Sequence, residues 1–234
     1  MDINQTNTNK EEALACESEE STYEPSNNNL VDASKKNKST IELNGINDSS
    51  YKLIVLEGLD CSGKSTVCRL LCEHLQPCKI ISFPKRDSVT GKIIDSFLRK
   101  EIQVSPYELH LLFSANRYEQ MSYIQTELRS SNIICDRYFV SGSIYSESKG
   151  LDYEWCRSVD KYLPKPDFTF FIDIKADVTS KRRGFGTEAH DNIELQAKIY
   201  NLYLKHAEEE NLVFVDGSKS SDFIVADILK KIKK

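Results

Sequence analysis

The stretch from Leu53 to Thr66, LIVLEGLDCSGKST, decides the fold class of this chain. Its first half is a short apolar run, Leu53-Ile54-Val55-Leu56. Its second half, Gly58-Leu59-Asp60-Cys61-Ser62-Gly63-Lys64-Ser65, fills the pattern G-x-x-x-x-G-K-[ST] at every fixed position. The glycines let successive backbone N–H groups turn towards one anion. Lys64 is spaced to span two phosphates, and the Ser65 hydroxyl to ligate Mg²⁺. Ser65–Leu75 reads as a helix whose positive end faces the same point. A strand, a phosphate loop and a helix in that order predict an α/β nucleotide-binding fold. An N-K-x-D motif for reading guanine is absent from the sequence.

Four more apolar runs follow: Lys79–Phe83, Ile133–Cys135, Phe168–Ile172 and Leu212–Val215. They are continuous rather than alternating, as expected of parallel strands covered on both faces. The segments between them are long enough for crossover helices. The expectation is a three-layer α/β/α fold around a five-stranded parallel sheet. Ser105-Pro106-Tyr107-Glu108 supplies an N-cap, a proline at the first helical position and a capping glutamate. It predicts a helix running, with a kink, towards Leu128.

Charge divides the 234 residues unevenly. Residues 1–50 hold ten acidic and four basic side chains, so they carry −6 of the chain's net −5 and leave the rest near +1. That body offers no basic face for nucleic acid. Residues 1–50, with Tyr23 as their one aromatic, are expected to be a disordered acidic extension. The start lacks a signal-peptide pattern, and no apolar run reaches the ~20 residues of a membrane span. The seven cysteines read as free thiols, including Cys68 and Cys72 at i, i+4. A cytoplasmic location is the expectation. A nuclear address in the lysine-rich end, Lys230–Lys234, is the weaker alternative to a solvated helix terminus.

Residues 51–234 resemble the eukaryotic-type thymidylate kinases over nearly their whole length. The blocks that carry the resemblance are LIVLEGLDCSGKST, FPKR at Phe83–Arg86, LLFSANRYEQ at Leu111–Gln120, DRY at Asp136–Tyr138, LPKPD at Leu163–Asp167, and Phe185-Gly186 in a lid spanning about 181–192. The resemblance implies a nucleoside monophosphate kinase fold with a mobile lid, ATP and dTMP as small-molecule substrates, Mg²⁺, and a homodimer packed through helices. It implies an ATP site at Gly58, Asp60, Cys61, Ser62, Gly63, Lys64, Ser65 and Thr66, joined by Arg182 and, on the adenine side, Ser218-Lys219. The implied dTMP site holds Phe83, Ser141 and Gly142 beside four named roles. Phe113 and Arg117, one turn apart, stack on thymine and read its O4. Arg86 and Arg137 clamp the phosphate, where a planar guanidinium suits a dianion. Asp60 meets the sugar 3′-OH, and Tyr145 crowds the 2′ position. Asp136, ending a strand at the carboxyl edge of the sheet, is placed to hold Mg²⁺ with Ser65, directly or through water, or to orient the acceptor phosphate. The expected catalytic set is Lys64, Asp136 and Arg137, with Arg183 added on the ground of a departure from the family pattern rather than of the resemblance.

The chain departs from that pattern in three places. Cys61 stands where most eukaryotic relatives carry a cation, and Arg183 stands where they have glycine. The expectation is that Arg183, or Arg182, supplies the missing charge. Ala189-His190 replaces an Arg-Tyr pair, so His190 either reaches the nucleotide or lies on the surface. Two other readings stay open at this stage: a deoxynucleoside kinase acting on thymidine, and a nucleotide-binding module with weakened catalysis. Phe83-Pro84-Lys85-Arg86 offers two cations and no carboxylate base, which favours an acceptor already bearing phosphate.

Overall fold

A computed structural model describes residues 51–182, 185–186, 190 and 192–233. The expectations for residues 1–50, for Arg183 and for Ala189 therefore fall outside the described residues. Five strands, β1 (Leu53–Glu57), β2 (Cys78–Ser82), β3 (Asn132–Asp136), β4 (Phe168–Asp173) and β5 (Leu212–Asp216), form one parallel sheet in the order β2-β3-β1-β4-β5. The connecting helices are α1 (Lys64–His74), α2 (Val89–Leu98), α3 (Pro106–Glu119), α4 (Met121–Glu127), α5 (Phe139–Glu147), α6 (Tyr153–Val159), α7 (Ala176–Thr179), α8 (Ile193–Lys205) and α9 (Ser221–Ile232).

The central strand explains the continuous apolar pattern. Leu53 and Val55 join one core with Ile133, Cys135 and Phe171, under residues of α4, α5 and α8. Ile54 and Leu56 point the other way, into a second core with Val67 and Leu71 of α1 and Ile224 and Ile228 of α9. Both faces of β1 are thus dry, and all five of its residues are buried. The edge strand β2 departs from this expectation. Ile81 is buried but Ile80 is 42% exposed, because β2 has a neighbour on one side only.

The helix start at Ser105 forms as the sequence predicts. Glu108 N donates to Ser105 Oγ (3.4 Å) and Ser105 N to Glu108 Oε2 (2.9 Å). The helix breaks at Gln120 and resumes as α4. None of the six described cysteines is in a disulfide, and burial pushes the Cys68 thiol well up, as befits a packing group. None of the described helices is long and apolar enough to cross a membrane. The order of the strands brings the carboxyl ends of β1, β3 and β4 together, where doubly wound sheets bind ligands.

Candidate active site

The phosphate loop runs from the end of β1 into α1. Gly58 (φ 148°) and Gly63 (φ 100°) adopt backbone conformations closed to other residues. A Cβ at Gly58 would also lie 3.0 Å from Ser62 Oγ and 3.2 Å from the Ile172 carbonyl. Lys64, first in α1, folds back over the loop and donates to Leu59 O (2.5 Å) and Ser62 Oγ (3.3 Å). Burial, and then the nearby Arg137 cation, lower its ammonium to about 8. Ser65 and Thr66 face solvent at the open side of the loop.

Ser65 Oγ donates to Asp136 Oδ2 at 2.5 Å, across 71 residues. These are the two groups implied for Mg²⁺. One hydroxyl and one carboxylate are hard oxygen donors that suit this ion. No cluster of three or more His, Cys, Asp or Glu side chains among the described residues could hold a metal alone. The ion would complete its shell from phosphates and water, as Mg²⁺ commonly does.

Arg137 links this loop to a second pocket. It is a non-glycine residue at φ 68°, held by its N–H on Leu56 O (2.9 Å). Its guanidinium donates to Gly58 O (2.8 Å), Ser141 Oγ (3.1 Å) and Asp60 Oδ1 (2.5 Å), and lies 5.2 Å over the Tyr145 ring. Asp60 also accepts from Tyr145 Oη (3.0 Å) and Gln196 Nε2 (2.7 Å). Burial works to raise the Asp60 carboxyl, but Arg137 and Lys64 overcome it and hold the group below its usual range. Asp60, Arg137 and Tyr145, expected on sequence grounds, therefore meet in one hydrogen-bonded cluster.

The pocket itself is lined by Phe83, Arg86, Phe113, Arg117, Ser141, Gly142 and Tyr145, all expected, together with Leu98, Leu109, Lys149 and His190. Phe113 and Arg117 share one face of α3. Arg117 is buried and pairs with Asp160 through Nε (3.2 Å) and Nη2 (2.6 Å); Asp160 takes a further bond from Ser114 Oγ (2.6 Å). A Cβ at Gly142 would lie 2.7 Å from both Nη atoms, so α5 needs a glycine there to let the guanidinium reach the pocket. Arg86 stands half-exposed at the rim, with Nη1 on Asp95 Oδ1 (2.8 Å).

Arg182 lies over the phosphate loop, donating from Nη1 to Cys61 O at 3.0 Å. Lys219, expected on the adenine side, is exposed and pairs loosely with Asp216 (3.7 Å) in the loop after β5. His190 is no surface residue. It is buried in the pocket wall, 5.2 Å from the Tyr145 ring and 5.9 Å from Phe97. Burial, and then the Lys149 cation, lower its imidazole to about 3.

That shift has a testable sign. Between pH 6.5 and about 3 the unfolded chain binds a proton at His190 that the folded chain refuses, so stability falls as pH drops through this window. His190→Gln removes this contribution, which has a slope of at most about 1.4 kcal/mol per pH unit. Urea unfolding at pH 7 and 5 should show the wild type losing more stability than the variant; equal losses refute the assignment.

Two buried groups went unassigned at the level of sequence. Glu57 accepts from the N–H groups of Tyr138 (3.0 Å) and Ser141 (3.2 Å), from the Ser141 hydroxyl and from Tyr203 Oη (2.9 Å), so it anchors the start of α5. Gln196 ties Asp60 to the His190 carbonyl (3.1 Å). Glu57 had a signal, a carboxylate ending an apolar strand; Gln196 had none.

The thymidylate kinase family model matches residues 56–228. Thymidylate kinase of Schizosaccharomyces pombe is 39% identical over 188 residues, which cover 76% of this chain and 90% of the relative. The human thymidylate kinase is 36% identical over 184 residues, covering 75% and 87%. A solved thymidylate kinase structure from Candida albicans superposes with a TM-score of 0.70 at 34% identity, covering 78% of this chain and 91% of that one. The span of the family model takes in both the phosphate loop and the second pocket, and this chain belongs to the thymidylate kinase family, a family of phosphotransferases.

Proposed function

We propose that this chain transfers the γ-phosphoryl group of ATP to the 5′-phosphate of dTMP, giving dTDP and ADP. The observation that carries the reading is the Arg137–Asp60 junction. It joins a loop built for a nucleotide's phosphates to a pocket with a flat aromatic, Phe113, and an edge donor, Arg117. An oxygen of the dTMP phosphate attacks the γ-phosphorus, the bond to the β-bridging oxygen breaks, and ADP leaves with those electrons. The attacking oxygen is already anionic, so no general base is needed. Lys64 and Arg137 work by alignment and by cancelling charge between two anions. Ser65 and Asp136 would hold Mg²⁺, which when bound offsets charge on the phosphate oxygens. ADP release measured with dTMP, dUMP, dGMP and thymidine tests the reading. Turnover of thymidine but not dTMP would favour a nucleoside kinase, and ATP binding with no product from any of them a weakened module.

Cys61 brings no charge to the loop, and Arg182, bonded to its carbonyl, is the described cation best situated to do so. Arg182→Ala is expected to lower kcat about ten- to a hundredfold. Arg183→Ala belongs beside it: a loss confined to Arg183 moves the role there, and no loss in either removes the idea.

A homodimer is supported by exposed apolar side chains on two packed helices, Val89 and Ile93 on α2 and Tyr107 and Leu111 on α3. Light scattering should give twice the chain mass of 26.8 kDa. We take the cytoplasm as the location, and a fluorescent fusion in cells distinguishes it from the nucleus.

A further inference from the structure

Lys149 has no role in the reaction as described so far, yet it lines the acceptor pocket. It sits just past the end of α5, one turn beyond Tyr145. The turn that carries it is fixed by Lys198 of α8, whose Nζ donates to Ser148 O at 2.6 Å. Lys149 Nζ lies 2.9 Å from His190 Nε2 and 5.1 Å over the Phe97 ring. Both of these partners are uncharged, and burial, with no described carboxylate beside it, is what acts on the ammonium. An ammonium has only donors, so His190 Nε2 must accept and the imidazole proton sits on Nδ1. Burial pushes the Lys149 ammonium down to about 8, which agrees with a cation held away from water.

His190 is therefore held twice. Lys149 holds its ring, and Gln196, bonded to Asp60 in the phosphate loop, holds its carbonyl. Between them they press His190 against Tyr145, whose hydroxyl is itself on Asp60. Resting on the acceptor reading above, we propose that Lys149 is a positioning residue of the acceptor site: by donating to His190 Nε2 it fixes the imidazole as the pocket wall beside Tyr145 and so sets affinity for the acceptor nucleotide. Without that bond the ring would keep only its contacts with Tyr145 and Phe97 and the backbone tie through Gln196.

The test is steady-state kinetics of Lys149→Met, His190→Ala and the double variant, with Lys149→Arg as the conservative control. Each single change is expected to raise KM for dTMP about tenfold, the scale of one hydrogen bond to a charged group, with kcat falling less than twofold. KM for ATP should stay within about twofold. The double variant should be no worse than the worse single, because both remove one interaction, and Lys149→Arg should recover most of the affinity. Effects that multiply to about a hundredfold in the double variant, an unchanged KM for dTMP, or a KM rise shared with ATP overturn the proposal. Lys149→Gln serves if the methionine variant fails to fold. Wild-type protein with no dTMP turnover would instead sink the acceptor reading, whatever the variants do.

Discussion

Replacing Lys64 with alanine is expected to lower kcat at least about a thousandfold while the protein stays folded. In the structure the ammonium bonds only to its own loop, through Leu59 O and Ser62 Oγ. Its removal therefore leaves one buried carbonyl and one hydroxyl short of a donor, a cost of roughly 1–3 kcal/mol. The larger loss appears when negative charge spreads over the transferring group, because no other side chain of α1's first turn is basic: Lys64 is followed by Ser65, Thr66 and Val67. The signature is a fall in kcat and kcat/KM together, as for an interaction made chiefly in the transition state. Single-turnover measurement of ADP formation reads it directly. A loss under tenfold would mean that the loop backbone and Arg137 suffice.

Arg137→Ala should have an effect of similar size, about a thousandfold in kcat/KM for dTMP, for a different reason. This guanidinium reaches Gly58 O, Ser141 Oγ and Asp60 at once and lies over Tyr145. Deleting it removes a cation from the acceptor phosphate and also frees Asp60, which then faces the incoming anion with one fewer compensating charge. Arg137→Lys separates the two effects. It keeps a charge but loses the planar fork, so it should recover less than a tenth of the lost activity. If lysine restores near wild-type kcat/KM, charge alone accounts for the role and the forked geometry does not.

The parts of this molecule visible in its sequence are those fixed by local backbone demands. Gly58 and Gly63 must be glycines at their φ angles, Ser105 and Glu108 must cap one helix, and the apolar runs must be strands dry on both faces. The edge strand β2 escaped that logic, because exposure of Ile80 depends on its rank in the sheet and not on its neighbours in the chain. The site was legible where motif blocks named its residues. It was illegible where partners lie far apart: Gln196 and Asp60 are 136 residues apart, and Glu57 and Ser141 are 84. Asp160 is a similar case. It follows a short helix and lies just outside the LPKPD block, yet it orients the arginine expected to read the base. The placement of His190 inside the pocket likewise turned on Lys149, whose proximity only the fold creates.

Every pocket arginine just described, and the loop lysine, is already engaged at rest: Lys64 with Leu59 O, Arg86 with Asp95, Arg117 with Asp160 and Arg137 with Asp60. Nucleotide entry is therefore a swap of ligands rather than the capture of an anion by bare charge. Free inorganic phosphate, too small to repay several such swaps at once, is expected to compete poorly with dTMP in inhibition kinetics, whereas a whole nucleotide trades many contacts together. Contacts exchanged at entry add little to ground-state binding, and only those that strengthen as charge develops raise the rate.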